Sequence, residues 1–192
     1  MLFSSPPSAN GRGPNGTSGL PANPPPKPAI DSLEFRRTLG RFASGVVVVT
    51  TGRGEERRGM TASSFTSVSL DPPLVLFCVQ NHSGTLAAIE QNGTFAVNVL
   101  AEDQQATCFQ FAGRSDDKFS GQSFRPGPET GAPLLEGALA RLECRLSQVV
   151  PAGDHQIVIG EVLGMDRTPP GNHPLLFWGG KIQHPDGWEP EK

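Results

Sequence analysis

Six consecutive β-branched residues at 46–51 (VVVVTT) constrain this chain more than any other stretch. Branching at Cβ stiffens χ1 and suits a pleated strand better than a helix, and an unbroken apolar run reads as a buried strand. Residues 52–58 (GRGEERR) follow as a polar turn whose charges nearly cancel, which reads as a solvated hairpin tip rather than a binding patch. The return strand is then 59–73, GMTASSFTSVSLDPP, with six hydroxyl residues and no charge before Asp71. Alternation puts Phe65, Ser67 and Ser69 on one face and Ser64, Thr66, Val68 and Leu70 on the other. A strand so rich in hydroxyls and bare backbone can lie against a polar, planar or phosphorylated ligand. Composition alone favours a plainer reading, a solvated Ser/Thr strand.

The remaining pattern extends this hairpin into a mainly β domain. Asp31-Ser-Leu-Glu34 has capping-box spacing, and Leu33, Leu39 and Phe42 recur at helical intervals, so a helix is expected from there to a stop at Gly45. Further strands are expected at 74–79, 94–100, 138–150, 156–165 and 174–182, with 122–137 as a Gly/Pro-rich loop. Short helices are expected after Ser83, with Leu86 and Ile89 inward, and over 102–112, with Ala106, Cys108 and Phe109 inward. Some six or seven strands with two or three short helices lack the βαβα rhythm of a parallel sheet. An antiparallel barrel with peripheral helices fits. Residues 1–30 carry eight of the 19 prolines and almost no large apolar side chains, so they cannot offset the entropy of ordering. They read as a disordered extension, ahead of a domain at 31–185 and a short tail at 186–192.

Several classes of function are disfavoured. Net charge is −3 with a pI near 5.8 and no basic stripe, which argues against nucleic acid or an anionic membrane as partner. No run approaches the ~20 apolar residues of a membrane span, and the first residues lack the pattern of a signal peptide. Cys78, Cys108 and Cys144 have no CxxC spacing and sit in apolar contexts, as buried thiols of a reducing compartment do; the expected location is the cytoplasm. The chain has no G-x-G-x-x-G, no P-loop, no G-x-S-x-G elbow and no His spacing suited to a metal. Chemistry would then be carried by a bound cofactor.

Three features could hold one. Ser83 and Thr85 at a helix start would add hydroxyls to unpaired backbone N–H groups, a ready anion site. Lys118 and Arg114 read as surface charges within reach of a phosphate. His155 follows Gly153-Asp154 in a turn that would fix it at the mouth of a cleft, with Asp154 influencing its orientation and protonation.

Taken in order, FRRTLGRFASGVVVVTT, GMTASSFTSVSLDPP, NHSGT, GTFAVNVL, FAGRSDDKFSG, GALARLEC and GDHQIVIGEV closely resemble the short-chain flavin reductases, the NAD(P)H-dependent components of two-component flavin monooxygenases. The resemblance covers residues 33–182. It implies a Greek-key split β-barrel of the FMN-binding type with peripheral short helices, a homodimer, and FAD or FMN bound near the subunit interface. It implies that Thr61, Ala62, Ser63 and Ser64 approach the isoalloxazine ring, and that Ser67, Val68 and Ser69 sit nearer the ribityl chain and phosphate. Ser83 and Thr85 match the phosphate site, completed by Lys118 and Phe119. Asp154 and His155 match the nicotinamide-binding turn, with His155 as the catalytic side chain beside NADH, or NADPH. Reduced flavin would pass to a separate oxygenase component. A flavin-binding protein without turnover and an oxidase with tightly held flavin are the alternatives.

Overall fold

The computed structural model describes residues 29–115 and 117–183. Nearly all of the expected N-terminal extension and the whole C-terminal tail lie outside these residues, and the compact unit begins at Ser32. Helix α1 (Ser32–Leu39) is followed by strands β1 (Ser44–Gly45), β2 (Val47–Thr51), β3 (Arg58–Ala62), β4 (Thr66–Leu70) and β5 (Pro73–Gln80). Helix α2 (Gly84–Asn92), β6 (Thr94–Val99) and helix α3 (Gln105–Ala112) come next. The chain ends with β7 (Phe124–Pro126), β8 (Pro133–Leu135), β9 (Ala140–Ala152), β10 (His155–Arg167), β11 (Leu176–Trp178) and β12 (Lys181–Gln183).

Seven strands form one antiparallel sheet in the order β3-β2-β6-β9-β10-β5-β4. Its edge strands, β3 and β4, are joined only by Ser63, Ser64 and Phe65. A flat sheet of that many strands would set its edges about 29 Å apart, whereas the link from Ala62 to Thr66 spans at most about 14 Å. The sheet therefore curls until its edges approach, and Ser64 bridges to Cys78 on β5.

The curl encloses Phe77, Phe95, Val47, Val49, Val97, Cys144 and Val158, with Ile89 of α2 closing one end. Phe77 and Phe95 meet edge to face with ring centres 5.5 Å apart. Val48 and the preceding Val46 point the other way, into a second core with Leu100, Cys108, Phe111, Phe119 and Leu175. That is why the run is apolar throughout: β2 is buried on both faces. Polar groups inside are paired. Asn98 donates to the Val48 carbonyl at 3.1 Å and accepts from the Leu135 N–H at 2.8 Å, which fastens the β7–β8 hairpin to the sheet.

Several boundaries depart from expectation. Helix α1 stops at Leu39 rather than Gly45, because Ser44 and Gly45 pair with Phe177 and Leu176. The 122–137 loop contains the β7–β8 hairpin, and the expected last strand is a hairpin turned at Gly179-Gly180. On α3 the buried side chains are Cys108 and Phe111, while Ala106 and Phe109 are exposed: a 3-10 turn at Glu102–Gln104 precedes the helix and rotates its face. The hydroxyl stretch is two strands on opposite edges, not one.

Candidate active site

The link between the two edges forms the floor of a cleft of about 950 Å³. Two of its hydroxyls are spent on structure. Thr61 donates to the Cys108 carbonyl at 2.7 Å, tying β3 to α3. Ser64 accepts from the Cys78 N–H at 2.9 Å, so it stands in for the ladder bond that a continuous strand would make. Ser63 is exposed, and its hydroxyl has no hydrogen-bond partner among the described residues. Gly59 is required at the start of this segment: a Cβ there would lie 2.6 Å from Phe111 Cε1.

The start of α2 lines the same cleft. Ser83 occupies the N-cap position with extended backbone (φ −75°, ψ 125°), yet its hydroxyl caps nothing. An N-cap serine normally satisfies an N–H of the first turn. Here the hydroxyl and the first-turn amides are left to an outside acceptor, and Thr85, 6% exposed, adds its own hydroxyl to the lining. The fit is to a phosphate.

His155 opens β10 at the cleft rim, and its Nδ1 lies 2.8 Å from Asp154 Oδ1. That contact is the main reason the Asp154 carboxyl is held below the usual carboxylate range. Asn81 secures the turn by donating to the Gly153 carbonyl at 3.1 Å and accepting from Gln156 at 2.9 Å. The imidazole is thus presented from a fixed turn, and its Nε2 has no hydrogen-bond partner among the described residues.

Cations supply another part of the lining. Lys118 donates to the Gly59 carbonyl at 3.2 Å and the Phe111 carbonyl at 2.9 Å, and burial pulls its amine below the usual lysine range. Phe119 packs edge-on against Phe111 at 5.0 Å and Phe124 at 5.4 Å. Arg57, Arg58 and Arg114 complete the cationic lining, and among the described residues no carboxylate lines the cleft. In a chain of net charge −3 this is local inversion of sign, suited to an anionic ligand. Among the described residues no His/Cys/Asp/Glu cluster could hold a metal.

The cleft thus gathers Thr61, Ala62, Ser63, Ser64, Ser83, Thr85, Lys118, Phe119 and His155, with Asp154 acting on His155 from outside. Ser67, Val68 and Ser69, expected nearer the ribityl chain and phosphate, do not line it. After Ser64 meets Cys78, β4 runs antiparallel to β5 toward Leu74, away from the end of β5 that borders the cleft. Arg57 and Arg58, expected to be solvated, do line it. The signal for them was weak, because a basic pair beside two glutamates looks like a neutral turn until the fold separates them. Behind residues 61–63 lies a smaller cavity of about 480 Å³ with Val46, Cys108, Phe109, Phe177 and Ile182 among its walls.

Residues 39–185 match the family described as flavin reductase like domain. The chain is 43% identical over 164 residues to the reductase subunit HsaB of a flavin-dependent monooxygenase from Rhodococcus jostii, covering 85% of this chain and 82% of the relative. It is 44% identical over 157 residues to an NADH-dependent FAD reductase of Streptomyces globisporus, covering 80% and 85% of the two chains. The solved structure of the S. globisporus NADH:FAD oxidoreductase SgcE6, in complex with NAD and FAD fragments, superposes with a TM-score of 0.77 at 45% identity, covering 82% of this chain and 95% of that one.

Proposed function

The chain belongs to the flavin reductase like family, and on that premise we propose that it is an NAD(P)H:flavin oxidoreductase supplying reduced flavin to a separate flavin-dependent monooxygenase. The observation that carries this reading is the cationic cleft, in which the Ser83 hydroxyl, free of any cap bond, and the start of α2 share one surface with residues 61–64 and His155. A flavin held there supplies the acceptor for hydride from NADH or NADPH. The chain's own part is to bind and orient. Ser83, Thr85 and the α2 amides hold the phosphate of FMN or FAD, with Lys118 adding charge. Ala62 and the bare backbone of the link permit close approach by a planar ring, and Ser63 offers a free hydroxyl. His155, steadied by Asp154, positions the nicotinamide nucleotide at the rim. Positioning of this kind supplies most of the acceleration for a transfer that needs no protein nucleophile.

The curled sheet with adjoining edges supports a split β-barrel. A homodimer is supported by Leu33, Phe35, Leu39 and Phe42, which lie 52–79% exposed along α1 and its following turn. Light scattering should give a mass of two chains; a single-chain mass would remove that part. No helix among the described residues is long and apolar enough to cross a membrane, and with the free cysteines this supports a cytoplasmic protein. Residues 1–30 are proposed as an extension outside the catalytic domain and 186–192 as a tail.

The test is NAD(P)H consumption by the purified protein with FAD, FMN or riboflavin added. Oxidation should depend on added flavin, and His155→Ala should raise the KM for NADH more than that for flavin. Absence of flavin-dependent oxidation under every pairing would refute the reading.

A further inference from the structure

The cleft carries more cations than one phosphate needs, and they sit on different elements from the α2 site. Arg57 immediately precedes β3 and Arg58 opens it, and Arg114 lies in the turn after α3. Among the described residues none of the three makes an ion pair, whereas Arg125, Arg141 and Arg145 are each paired with a carboxylate. Like charges gathered with no carboxylate at ion-pairing distance repel one another, and an anion that joins them relieves this.

Arg57 is also preorganised. Its Nη1 donates to the Gly54 carbonyl at 2.8 Å, and its guanidinium carbon stands 5.3 Å from the Phe119 ring centre and 5.5 Å from that of Phe124. Two aromatic contacts fix the plane of the fork, so fewer rotamers are lost when it binds. Arg58 donates through Nη1 to the carbonyls of Glu55 and Arg57 at 3.2 and 2.8 Å. Among the described residues the other N–H groups of each guanidinium have no hydrogen-bond partner, which leaves them for a ligand.

We propose that Arg57, Arg58 and Arg114 form a second anion site, separate from Ser83 and Thr85, which takes a phosphate of an adenosine 5′-phosphate arm. FAD and the nicotinamide dinucleotides carry that arm, and FMN and riboflavin lack it. The inference rests on the flavin reductase reading and refines it, because it makes these arginines the determinant of preference for adenylated ligands.

The test is equilibrium binding, independent of turnover, of FAD, FMN, riboflavin, NADH and 5′-AMP to the full chain and to Arg57→Lys, Arg57→Leu and Arg58→Gln. Loss of a charge-assisted, forked contact should weaken an adenylated ligand by about tenfold. Riboflavin and FMN should stay within about twofold, and salt should weaken FAD more than FMN. A loss confined to FAD and 5′-AMP identifies the flavin as the source of the arm. A loss confined to NADH and 5′-AMP identifies the dinucleotide. Equal losses for FMN and FAD, or no loss in any variant, overturn the second site. Arg57→Lys keeps a charge over Phe119, so it separates a recognition defect from a packing defect. Failure of the wild-type chain to bind any flavin would instead sink the underlying reading, so the two failures are distinguishable.

Discussion

Replacing Ser83 and Thr85 together by alanine is expected to weaken FMN and FAD by about 10- to 100-fold while leaving riboflavin within about twofold. Riboflavin has the same ring and ribityl chain without the phosphate, so the comparison isolates the anion site. The Ser83 change by itself should barely alter stability, which is unusual for an N-cap substitution. Removing a capping serine ordinarily costs ~1 kcal/mol, but the Ser83 hydroxyl makes no cap bond to lose. Thr85→Val with Ser83→Ala is the companion variant, because it keeps the buried volume at residue 85 and deletes only the hydroxyls. Equal losses for all three flavins would place the phosphate elsewhere.

Gly59→Ala should injure both stability and binding. The new methyl would sit 2.6 and 2.7 Å from Phe111 Cε1 and Cδ1 and 3.3 Å from the Val49 carbonyl. Phe111 is fully buried within the second core, edge-on against Phe119, so it cannot swing aside freely. Overpacking of this kind costs ~1–3 kcal/mol, or roughly 3–10 °C in Tm for a domain of this size. The same movement disturbs both carbonyls that hold Lys118, those of Gly59 and Phe111. Flavin affinity should therefore fall as well. Pairing Gly59→Ala with Phe111→Leu makes room and should recover much of the Tm. An unchanged Tm in the single variant would mean that the strand shifts without resistance.

Much of the fold was legible because its signals are local. The β-branched run announced β2, and Gly153-Asp154 announced the turn that presents His155. What stayed hidden depends on closure. Nothing in FTSVSL marks a change of edge, since alternation continues across Ser63, Ser64 and Phe65. The break exists because a curled sheet needs a link there, so Ser67, Val68 and Ser69 were grouped with a cleft they leave. The helical period put Phe109 inside, but the preceding 3-10 turn shifted the face to Phe111. Arg57 and Arg58 looked like half of a neutral turn, and only the Phe119–Phe124 pair shows where Arg57 is held. For Ser83 the residue type was readable and its use was not: sequence indicates a cap, whereas in the fold the hydroxyl makes no cap bond.

The most direct test of the central claim is anaerobic mixing of a small amount of the protein with excess NADH and excess free FAD or FMN, followed by flavin absorbance. A reductase that releases its product should bleach many equivalents of flavin per chain, and a purified oxygenase partner added afterwards with air and its own substrate should form product. Bleaching that stops at one equivalent per chain, or none at all, would contradict the account.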